Sequence, residues 1–323
     1  MIITVTLNPA VDKLYWVKHL KICDLSDEQF LTRAFRSSTS AGGKGVNMSI
    51  FLSQLGMENV AMGFVGGYTG HVVVRDLRDK GVTTNFVWTD GETRTNVAVF
   101  EEGREHIPMF IDEAGPTIAE SEAERFLRRY RRMLHRSSWV VLAGSLPPGI
   151  DVGFYRELAT MARDAGCKVI LSTGGEALVE GMKACPYLVK PDTRESGELM
   201  GIRLDSREAV IEAGKRIVSC GVGHAIISHK IKGDIVVSGD AAWEIKTPVP
   251  AAELKNLVGA DDVFLAGILY KLASDAPVEE AYNFGLAAGM ASAERDEKIC
   301  ADLESIRIEQ EKITVQRIEG EAR

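Results

Sequence analysis

Several features that would assign a functional class at once are missing from this chain. Its five cysteines are scattered and form no C-x-x-C pair, so neither a zinc knuckle nor a disulfide framework is indicated. The six histidines show no spacing typical of metal ligands. With a net charge of −8, the chain lacks the basic surface that a nucleic-acid backbone requires. Metal-centred, disulfide-stapled and nucleic-acid-binding classes are therefore disfavoured.

Recognisable targeting and membrane segments are missing as well. The stretch from Met1 to Leu7 has no basic start, and its pattern is that of a first β-strand rather than a signal peptide. No run of about 18 apolar residues occurs, so the sequence predicts no membrane span. We therefore expect a cytoplasmic protein with reduced thiols, and neither a membrane nor a nucleic acid as its partner.

What the sequence contains instead is a regular alternation of strand and helix patterns over its 323 residues. Its 45% hydrophobic and 26% charged residues are the proportions of an ordinary globular protein. Buried-strand patterns lie at residues 2–7, 60–65, 139–142, 169–171, 187–189, 225–228 and 235–237. Helical periodicity lies at residues 46–55, 70–80, 122–134, 154–165, 209–219, 263–272 and 279–294. Such alternation predicts an α/β fold with a doubly wound, mostly parallel sheet and helices on both faces.

Two segments depart from this alternation. Residues 14–36 and 84–111 contain short β-prone runs with turns, at residues 14–17, 30–35, 86–88 and 96–100. A small sheet with a free face must be covered, so we expect these runs to form a lid over an active site or a dimer contact. We expect one domain, residues 1–323, with this lid as a subdomain.

The most informative turn spans residues 258–267, where small residues lead directly into an apolar helix with Asp261 and Asp262 at the junction. A helix N-terminus carries unpaired N–H groups and a partial positive charge, so it attracts anions. One carboxylate there is a cap or a general base, whereas a second beside it would repel a phosphate. Taken alone, this turn favours an ordinary Asp-capped helix.

Other glycine-rich turns follow predicted strands, at the edge where doubly wound sheets bind ligands. Residues 41–47 place glycines, Lys44 and Asn47 before a helix, which allows close backbone approach and contact with an anion. This stretch matches neither the P-loop nor the dinucleotide fingerprint. Asp12 is a candidate for binding sugar hydroxyls, with a turn role as the alternative. Arg94 is a candidate phosphate clamp, with a surface turn as the alternative.

Taken together, these turns resemble those of the ribokinase-like sugar kinases of the phosphofructokinase-B family. The resemblance runs from Met1 to about Glu294, and the order and spacing of the motifs fit throughout. The motifs are Gly42-Gly43-Lys44-Gly45-Val46-Asn47, Ala143-Gly144-Ser145-Leu146-Pro147-Pro148-Gly149 and Val258-Gly259-Ala260-Asp261-Asp262. Residues 6–12 and 93–96 resemble the branch that phosphorylates sugar phosphates, which contains 1-phosphofructokinases and tagatose-6-phosphate kinases.

The resemblance implies ATP-dependent transfer of a phosphoryl group to a sugar hydroxyl. Asp262 would be the base that accepts the hydroxyl proton. The N–H groups of Gly259, Ala260 and Asp261 would form the anion hole for the migrating group. This division of roles suits phosphoryl transfer, which depends mostly on positioning and on charge stabilisation.

The same resemblance implies the substrate contacts. The sugar would be held by Asp12, Gly42, Gly43, Asn47 and Ser145. Lys44 and Arg94 would contact the phosphate that the sugar already carries. The ATP site would be lined by Lys190, Asp192, Ser228, Lys230, Gly233 and a turn containing Ala288 and Gly289. Asp192 and Glu195 would orient Mg²⁺ indirectly, and the lid would pair two subunits in a homodimer.

Four positions depart from the family pattern. Asp261 stands where glycine is usual, Asp192 replaces an asparagine, Lys230 replaces a glycine, and residues 172–176 differ from Asp-x-Ser-Gly-Glu. Asp261 matters most, because a carboxylate about 4 Å from a phosphate costs about 4 kcal/mol at an effective dielectric of about 20. If this energy cost arises only in the transition state, the rate falls by about a thousandfold. If the side chain points away, only backbone strain remains.

Three functional expectations follow. The first is an ATP- and Mg²⁺-dependent kinase that converts fructose 1-phosphate into fructose 1,6-bisphosphate, with tagatose 6-phosphate and fructose 6-phosphate as alternative acceptors. The second is a catalytically impaired homologue that binds a sugar phosphate or nucleotide as a sensor, because of the four departures. The third is a nucleoside kinase of the same fold.

Overall fold

The computed structural model describes residues 1–20, 31–193, 196–228, 233–250 and 253–319 of the chain. The strands are β1 (Ile2–Thr6), β2 (Ala10–Val17), β3 (Ala34–Gly42), β4 (Asn59–Gly66), β5 (Thr83–Thr84), β6 (Val87–Thr89), β7 (Arg94–Glu101), β8 (Met109–Asp112), β9 (Trp139–Ala143), β10 (Lys168–Ser172), β11 (Leu188–Val189), β12 (Glu198–Leu199), β13 (Ile202–Arg203), β14 (His224–Ile227), β15 (Asp234–Ser238), β16 (Ala241–Lys246) and β17 (Thr314–Glu319). The helices are α1 (Lys44–Gln54), α2 (Gly67–Asp79), α3 (Glu120–Leu134), α4 (Phe154–Asp164), α5 (Gly175–Met182), α6 (Arg207–Ser219), α7 (Ala260–Leu272), α8 (Val278–Ala293) and α9 (Leu303–Lys312). The expectations for Glu195 and Lys230 lie outside the described residues.

Most strands join one large sheet, in the order β17-β16-β15-β14-β11-β10-β9-β1-β4-β5, with β6 also paired to β4. The pairs from β14 to β5 are parallel, and β14 to β17 are joined by antiparallel pairs. Central strands such as β1 and β9 are short runs in which every residue is buried, as expected for a parallel sheet covered on both faces. The predicted doubly wound α/β architecture is therefore confirmed.

Helices cover both faces of this sheet and form two separate hydrophobic cores. On one face, α1, α2, α7 and α8 pack with residues such as Phe51 and Phe264. On the other face, α3, α4, α5 and α6 pack with residues such as Phe126 and Tyr155. Because the strands are parallel, their carboxyl ends lie at one edge, and the turns that follow them meet there.

A separate small sheet has the order β3-β2-β7-β8. The predicted runs at 14–17 and 96–100 lie in it, which confirms the small sheet, but the run at 86–88 does not. Residues Val87–Thr89 instead extend the large sheet by pairing in parallel with β4, whose outer edge offers free hydrogen-bonding groups. One face of the small sheet carries a buried cluster that contacts Val258, just before α7. This cluster contains Leu14, Trp16, Ala98 and Phe100.

The expected turn at residues 287–289 is wrong, because these residues lie inside α8 and are buried against α7. A Cβ at Gly289 would lie 3.0 Å from the carbonyl oxygen of Ala260. A Cβ on Gly267 of α7 would come within 3.0 Å of Gly285 Cα. Small residues thus let the two helices approach closely, and α8 supports the first turn of α7 from behind.

The C-terminal segment docks on the body of the protein. Helix α9 packs beside α8, and β17 extends the large sheet by antiparallel pairing with β16. In this segment Ile306 and Ile313 are buried, whereas Ile308 is exposed. Within the described ranges, no helix is long and apolar enough to cross a bilayer.

Candidate active site

A small cavity of about 60 Å³ lies beside the carboxyl ends of β10, β11 and β14 and the N-terminus of α7. Its lining residues are Lys44, Ser172, Lys190, Pro191, Asp192, Thr193, Ser228, Asp261 and Asp262. The fold therefore brings together two groups of residues that are far apart in sequence: those of the turn before α7 and those predicted to line the ATP site.

Asp262 lies in the first turn of α7, and its side chain is largely buried. The Nδ2 atom of Asn47 donates a hydrogen bond of 2.7 Å to its Oδ2 atom. Asn47 comes from α1, which packs against α7, so two helix N-termini fix one carboxylate. An ionised carboxylate held beside a helix N-terminus is stabilised as an anion and has a defined orientation.

The turn into α7 depends on Gly259, which adopts the left-handed conformation with φ 81°. A side chain would be strained at this φ, and its Cβ would lie 3.3 Å from Asn47 Nδ2. Asn47 itself has a buried Oδ1 atom with no hydrogen-bond partner among the described residues. An unpartnered buried acceptor is costly, so this atom is suited to receive a hydrogen bond from a ligand hydroxyl.

The predicted anion hole is partly engaged within the protein. The N–H of Ala260 donates to the carbonyl of Leu257 at 3.2 Å. The next N–H, that of Asp262, lies outside the predicted hole and donates to the carbonyl of Gly259 at 3.0 Å. A phosphoryl group bound at this helix start would therefore have to share or replace the weaker of these bonds.

Asp261 points toward the cavity rather than away from it. Its Oδ1 atom lies 3.4 Å from the Nζ atom of Lys190. The lysine side chain is only 6% exposed, whereas that of Asp261 is 62% exposed. Burial alone would lower the pKa of Lys190, but the carboxylates of Asp261 and Asp234 outweigh this effect and raise the pKa. Lys190 is thus a buried ammonium ion at the mouth of the cavity, and Asp261 competes with any phosphate for it.

A second ion pair crosses the same cavity. The Nζ atom of Lys44, at the start of α1, lies 3.1 Å from the Oδ2 atom of Asp192. Both side chains are mostly buried. Lys44 was predicted to contact the phosphate of the sugar and Asp192 to act on the ATP side. The structure brings the predicted sugar-phosphate subsite and the predicted ATP subsite into direct contact, and the ammonium group of Lys44 lies between them.

On the side predicted to bind ATP, Asp234 is a residue that sequence reasoning missed. It is buried and accepts a hydrogen bond from the hydroxyl of Ser228, which was predicted. Burial raises the pKa of Asp234 to about 6, although Lys190 acts in the opposite direction. Gly233 directly precedes it with φ 107°, and a Cβ there would lie 2.2 Å from the carbonyl oxygen of Ile245. A signal did exist, since Asp234 is a charged residue at the start of a predicted apolar strand.

The predicted sugar contacts fall into two groups. Asp12 lies against Gly42, where an added Cβ would be 2.2 Å from its carboxylate carbon. Its Oδ2 atom accepts a hydrogen bond of 2.5 Å from Lys298, a residue that the sequence did not single out. Gly43 has φ 105° and caps α1, so the backbone at the start of this helix is exposed to an approaching ligand.

Arg94 and Ser145 form the other group, and Asn8 joins them. The Nε atom of Arg94 donates to the carbonyl of Asn8 at 3.2 Å, and its Nη1 atom donates to the carbonyl of Glu113 at 2.9 Å. The Nδ2 atom of Asn8 donates to the Ser145 hydroxyl at 3.3 Å. These bonds hold the guanidinium group in place beside the turns that follow β1 and β9.

The chain is similar to known proteins in both sequence and structure. A family model described as pfkB family carbohydrate kinase matches residues 6–302. A 1-phosphofructokinase from Bacillus subtilis is 34% identical over 297 residues, covering 92% of this chain and 94% of that protein. A 1-phosphofructokinase from Borreliella burgdorferi is 33% identical over 294 residues, covering 91% of this chain and 92% of that protein.

Solved structures share the fold. A possible 1-phosphofructokinase from Thermotoga maritima has a TM-score of 0.89 at 33% identity, covering 98% of this chain and 99% of that one. Phosphofructokinase-2 from Escherichia coli, crystallised with substrates and products, has a TM-score of 0.83 at 26% identity, with coverage of 96% and 98%. The likeness extends over nearly the full length of each chain, so these proteins share the overall fold.

Proposed function

Because the chain belongs to the pfkB family of carbohydrate kinases, we propose that it transfers a phosphoryl group from ATP to fructose 1-phosphate, giving fructose 1,6-bisphosphate. The observation that carries this proposal is the placement of Asp262. It is a buried carboxylate, oriented by Asn47, in a cavity that also contains the ammonium groups of Lys44 and Lys190. A carboxylate and two cations therefore lie close together, which supports a role in phosphoryl transfer to a hydroxyl.

Asp262 accepts the proton of the attacking hydroxyl as the oxygen–phosphorus bond forms. The first turn of α7, through the N–H groups of Gly259, Ala260 and Asp261, stabilises the negative charge of the migrating group. Asn47 keeps the carboxylate in the productive orientation and uses its unpartnered Oδ1 atom to accept from the sugar. General-base assistance of this kind contributes about 10²–10⁴ in rate.

The acceptor lies between the two groups of predicted contacts. Asp12, Gly42, Gly43, Asn47 and Ser145 hold the sugar. Lys44 and Arg94 bind its phosphate, which gives the preference for a phosphorylated acceptor over a free sugar. The fixed guanidinium of Arg94 supports this role, because a group already held in place loses little entropy on binding an anion.

ATP binds on the side of Lys190, Asp192, Ser228 and Gly233, with Lys230 as a further predicted contact. Ala288 and Gly289 support this side indirectly, by packing against α7. No group of three or more histidine, cysteine or acidic side chains in the described ranges could hold a metal ion. Mg²⁺ would therefore be held mainly by the phosphates, with Asp192 and Glu195 acting through water, and would neutralise phosphate charge.

The small sheet is proposed as a lid that also pairs two copies of the chain. Its face opposite the buried cluster carries an apolar patch, because strand register places Tyr15, Val99 and Met109 side by side and Val97 beside Ile111. Lys13, Ser37 and Thr39 lie on the same face and border this patch. Ile111 is 55% exposed in the single chain. An exposed apolar sheet face of this kind is typical of a protein contact, and a second copy would cover it.

The test is a coupled assay with ATP and fructose 1-phosphate, fructose 6-phosphate or tagatose 6-phosphate. We expect the highest kcat/KM for fructose 1-phosphate. Asp262→Asn should lower kcat by about a thousandfold with little change in KM, because it removes the base and keeps the shape. The exposed Asp240→Asn is the matched control and should keep full activity. Failure of all three acceptors to turn over would sink the proposal.

One observation favours a second candidate, the impaired homologue. Asp261 points into the cavity and pairs with Lys190, which would otherwise be available to phosphate. If Asp261 holds that lysine when nucleotide is present, the chain binds a sugar phosphate but transfers slowly. Tight binding of fructose 1-phosphate in calorimetry together with negligible turnover would support this alternative.

A further inference from the structure

Lys298 is a buried cation on the wall of the proposed sugar site. Its Nζ atom donates to Asp12 Oδ2 at 2.5 Å and to the carbonyl of Ala41 at 2.9 Å. The side chains of Lys298 and Asp12 are only 5% and 9% exposed. The pair joins positions that are 286 residues apart in sequence.

The lysine determines how Asp12 is oriented. Asp12 lies on β2 directly against the backbone of Gly42 on β3, with no room for a side chain between them. The Nζ atom of Lys298 donates a hydrogen bond to Oδ2 of this carboxylate. It also donates to the carbonyl of Ala41, which lies on the same strand as Gly42. Among the described residues, no side chain donates a hydrogen bond to Oδ1 of Asp12, so this atom remains the acceptor that a sugar hydroxyl can use.

The segment that carries Lys298 is itself firmly held. The carbonyl of Asp296 accepts from Asn256 at 3.0 Å, in the turn that leads into α7. The carbonyl of Ile299 accepts from Gln54 of α1 at 2.9 Å. The Ile299 side chain would be 3.2 Å from a Cβ on Gly259. Residues 296–299 therefore connect the small sheet, α1 and the turn before Asp262.

We propose that Lys298 is a positioning residue for the acceptor sugar. It holds Asp12 in the one orientation that accepts a sugar hydroxyl. It also neutralises a carboxylate that would otherwise repel a substrate carrying a phosphate. Lys298 acts through Asp12 and does not touch the reacting atoms. This inference rests on the proposed function, since Asp12 has its role only if a sugar phosphate binds beside it.

The experiment is a double-mutant cycle with Lys298→Met, Asp12→Asn and the combined variant. Lys298→Met keeps an unbranched side chain, shorter by one heavy atom, and removes its charge. We expect it to raise KM for fructose 1-phosphate by about 30-fold while KM for ATP changes by less than about threefold, because only the sugar contact is disturbed. In the Asp12→Asn background, the same substitution should change KM by less than about twofold.

The matched control is Arg295→Met. Arg295 lies in the same part of the chain and pairs with Asp302 at 2.6 Å, but both side chains are substantially exposed. It should leave both KM values unchanged. Lys298→Met could fold poorly because it leaves the Asp12 carboxylate buried without its partner. The combined variant removes both charges, so its comparison with Asp12→Asn still tests whether Lys298 acts through Asp12.

Two results would overturn the inference while leaving the kinase activity established. One is an equal rise in both KM values, which indicates general structural damage. The other is an additive cycle, which indicates that Lys298 contacts the substrate or acts independently of Asp12. If the wild-type chain neither binds nor phosphorylates a ketose phosphate, the proposed function fails first and the inference falls with it.

Discussion

Two adjacent carboxylates at the start of α7 show how burial divides the roles of similar residues. Asp262 is buried and hydrogen-bonded to Asn47, so its orientation is fixed. Asp261 is largely exposed and reaches across to Lys190. Because solvent screens an exposed charge, its repulsion of a phosphate is nearer the value in water, about 1 kcal/mol at about 4 Å, than the value at low dielectric.

Replacement of Asp261 tests this reduced penalty. Asp261→Gly and Asp261→Asn both remove the charge that competes for Lys190, and only the asparagine keeps a side chain of similar size. We expect both variants to lower KM for ATP by about fivefold, the equivalent of about 1 kcal/mol. Steady-state kinetics at varied ATP measure this change.

The two variants also control for each other. A gain in the glycine variant alone would assign the effect to the backbone rather than to charge. A gain of about a thousandfold in kcat would show that the repulsion acts in the transition state with little screening. A loss of activity in both would mean that Asp261 assists catalysis, contrary to our view.

At the scale of elements, the small sheet has two faces with different partners. Its inner cluster includes Trp16 and Phe100, whose rings stack at 5.1 Å, and it packs against Val258. Movement of this sheet would therefore be transmitted to the turn before Asp262. Its outer face carries an apolar patch around Val99, which is proposed to be covered by a second copy.

Val99→Asp tests this contact, because Val99 lies between Tyr15 and Met109 at the centre of the outer face. A carboxylate buried there without a partner should weaken self-association by about 100-fold or more. Size-exclusion chromatography with light scattering at several protein concentrations measures the effect. Ile308→Asp, at an exposed isoleucine of α9, is the control and should not change the mass. A wild-type chain that is monomeric at every concentration would contradict the proposal.

At the scale of the whole molecule, buried titratable groups outside the site affect stability. His224, on β14, contacts Tyr187 and is hydrogen-bonded to Tyr282 at 2.9 Å. Burial, with a smaller contribution from Lys168, lowers the pKa of His224 from 6.5 to about 4. Between these values the unfolded chain binds a proton that the folded chain excludes, so this residue makes the fold less stable as the pH falls.

His224→Gln isolates this contribution. The difference in free energy of unfolding between wild type and variant should shrink by about 2 kcal/mol from pH 7 to pH 5, because the wild type alone loses stability through this residue. Urea unfolding at each pH measures this difference. Asp234 titrates with the opposite effect on stability, but it is present in both proteins, so its contribution cancels in the difference. Between pH 7 and pH 9 the difference should stay constant, since His224 is already neutral. A constant difference down to pH 5 would contradict the assignment.

The amino-acid sequence by itself determined the architecture and the order of the site. Strand and helix patterns are local, and apolar runs with glycine turns predicted the large sheet, seven of the helices and the turns at its carboxyl edge. Some elements were missed: α5 has a weak, glycine-rich start, and β6 was placed in the wrong sheet. The error at β6 arises because the choice of pairing partner depends on which free edge is nearby rather than on the strand's own residues.

Only the tertiary structure decided how charges pair across the site. The sequence contains Asp12, Asp261 and Lys44, but their partners, Lys298, Lys190 and Asp192, lie 286, 71 and 148 positions away in the chain. No local pattern records such pairs, because packing of separate elements brings them together. Burial then sets their strength: it fixes the orientation of the Asp262 carboxylate, leaves Asp261 screened by solvent, and encloses the pair of Lys298 and Asp12.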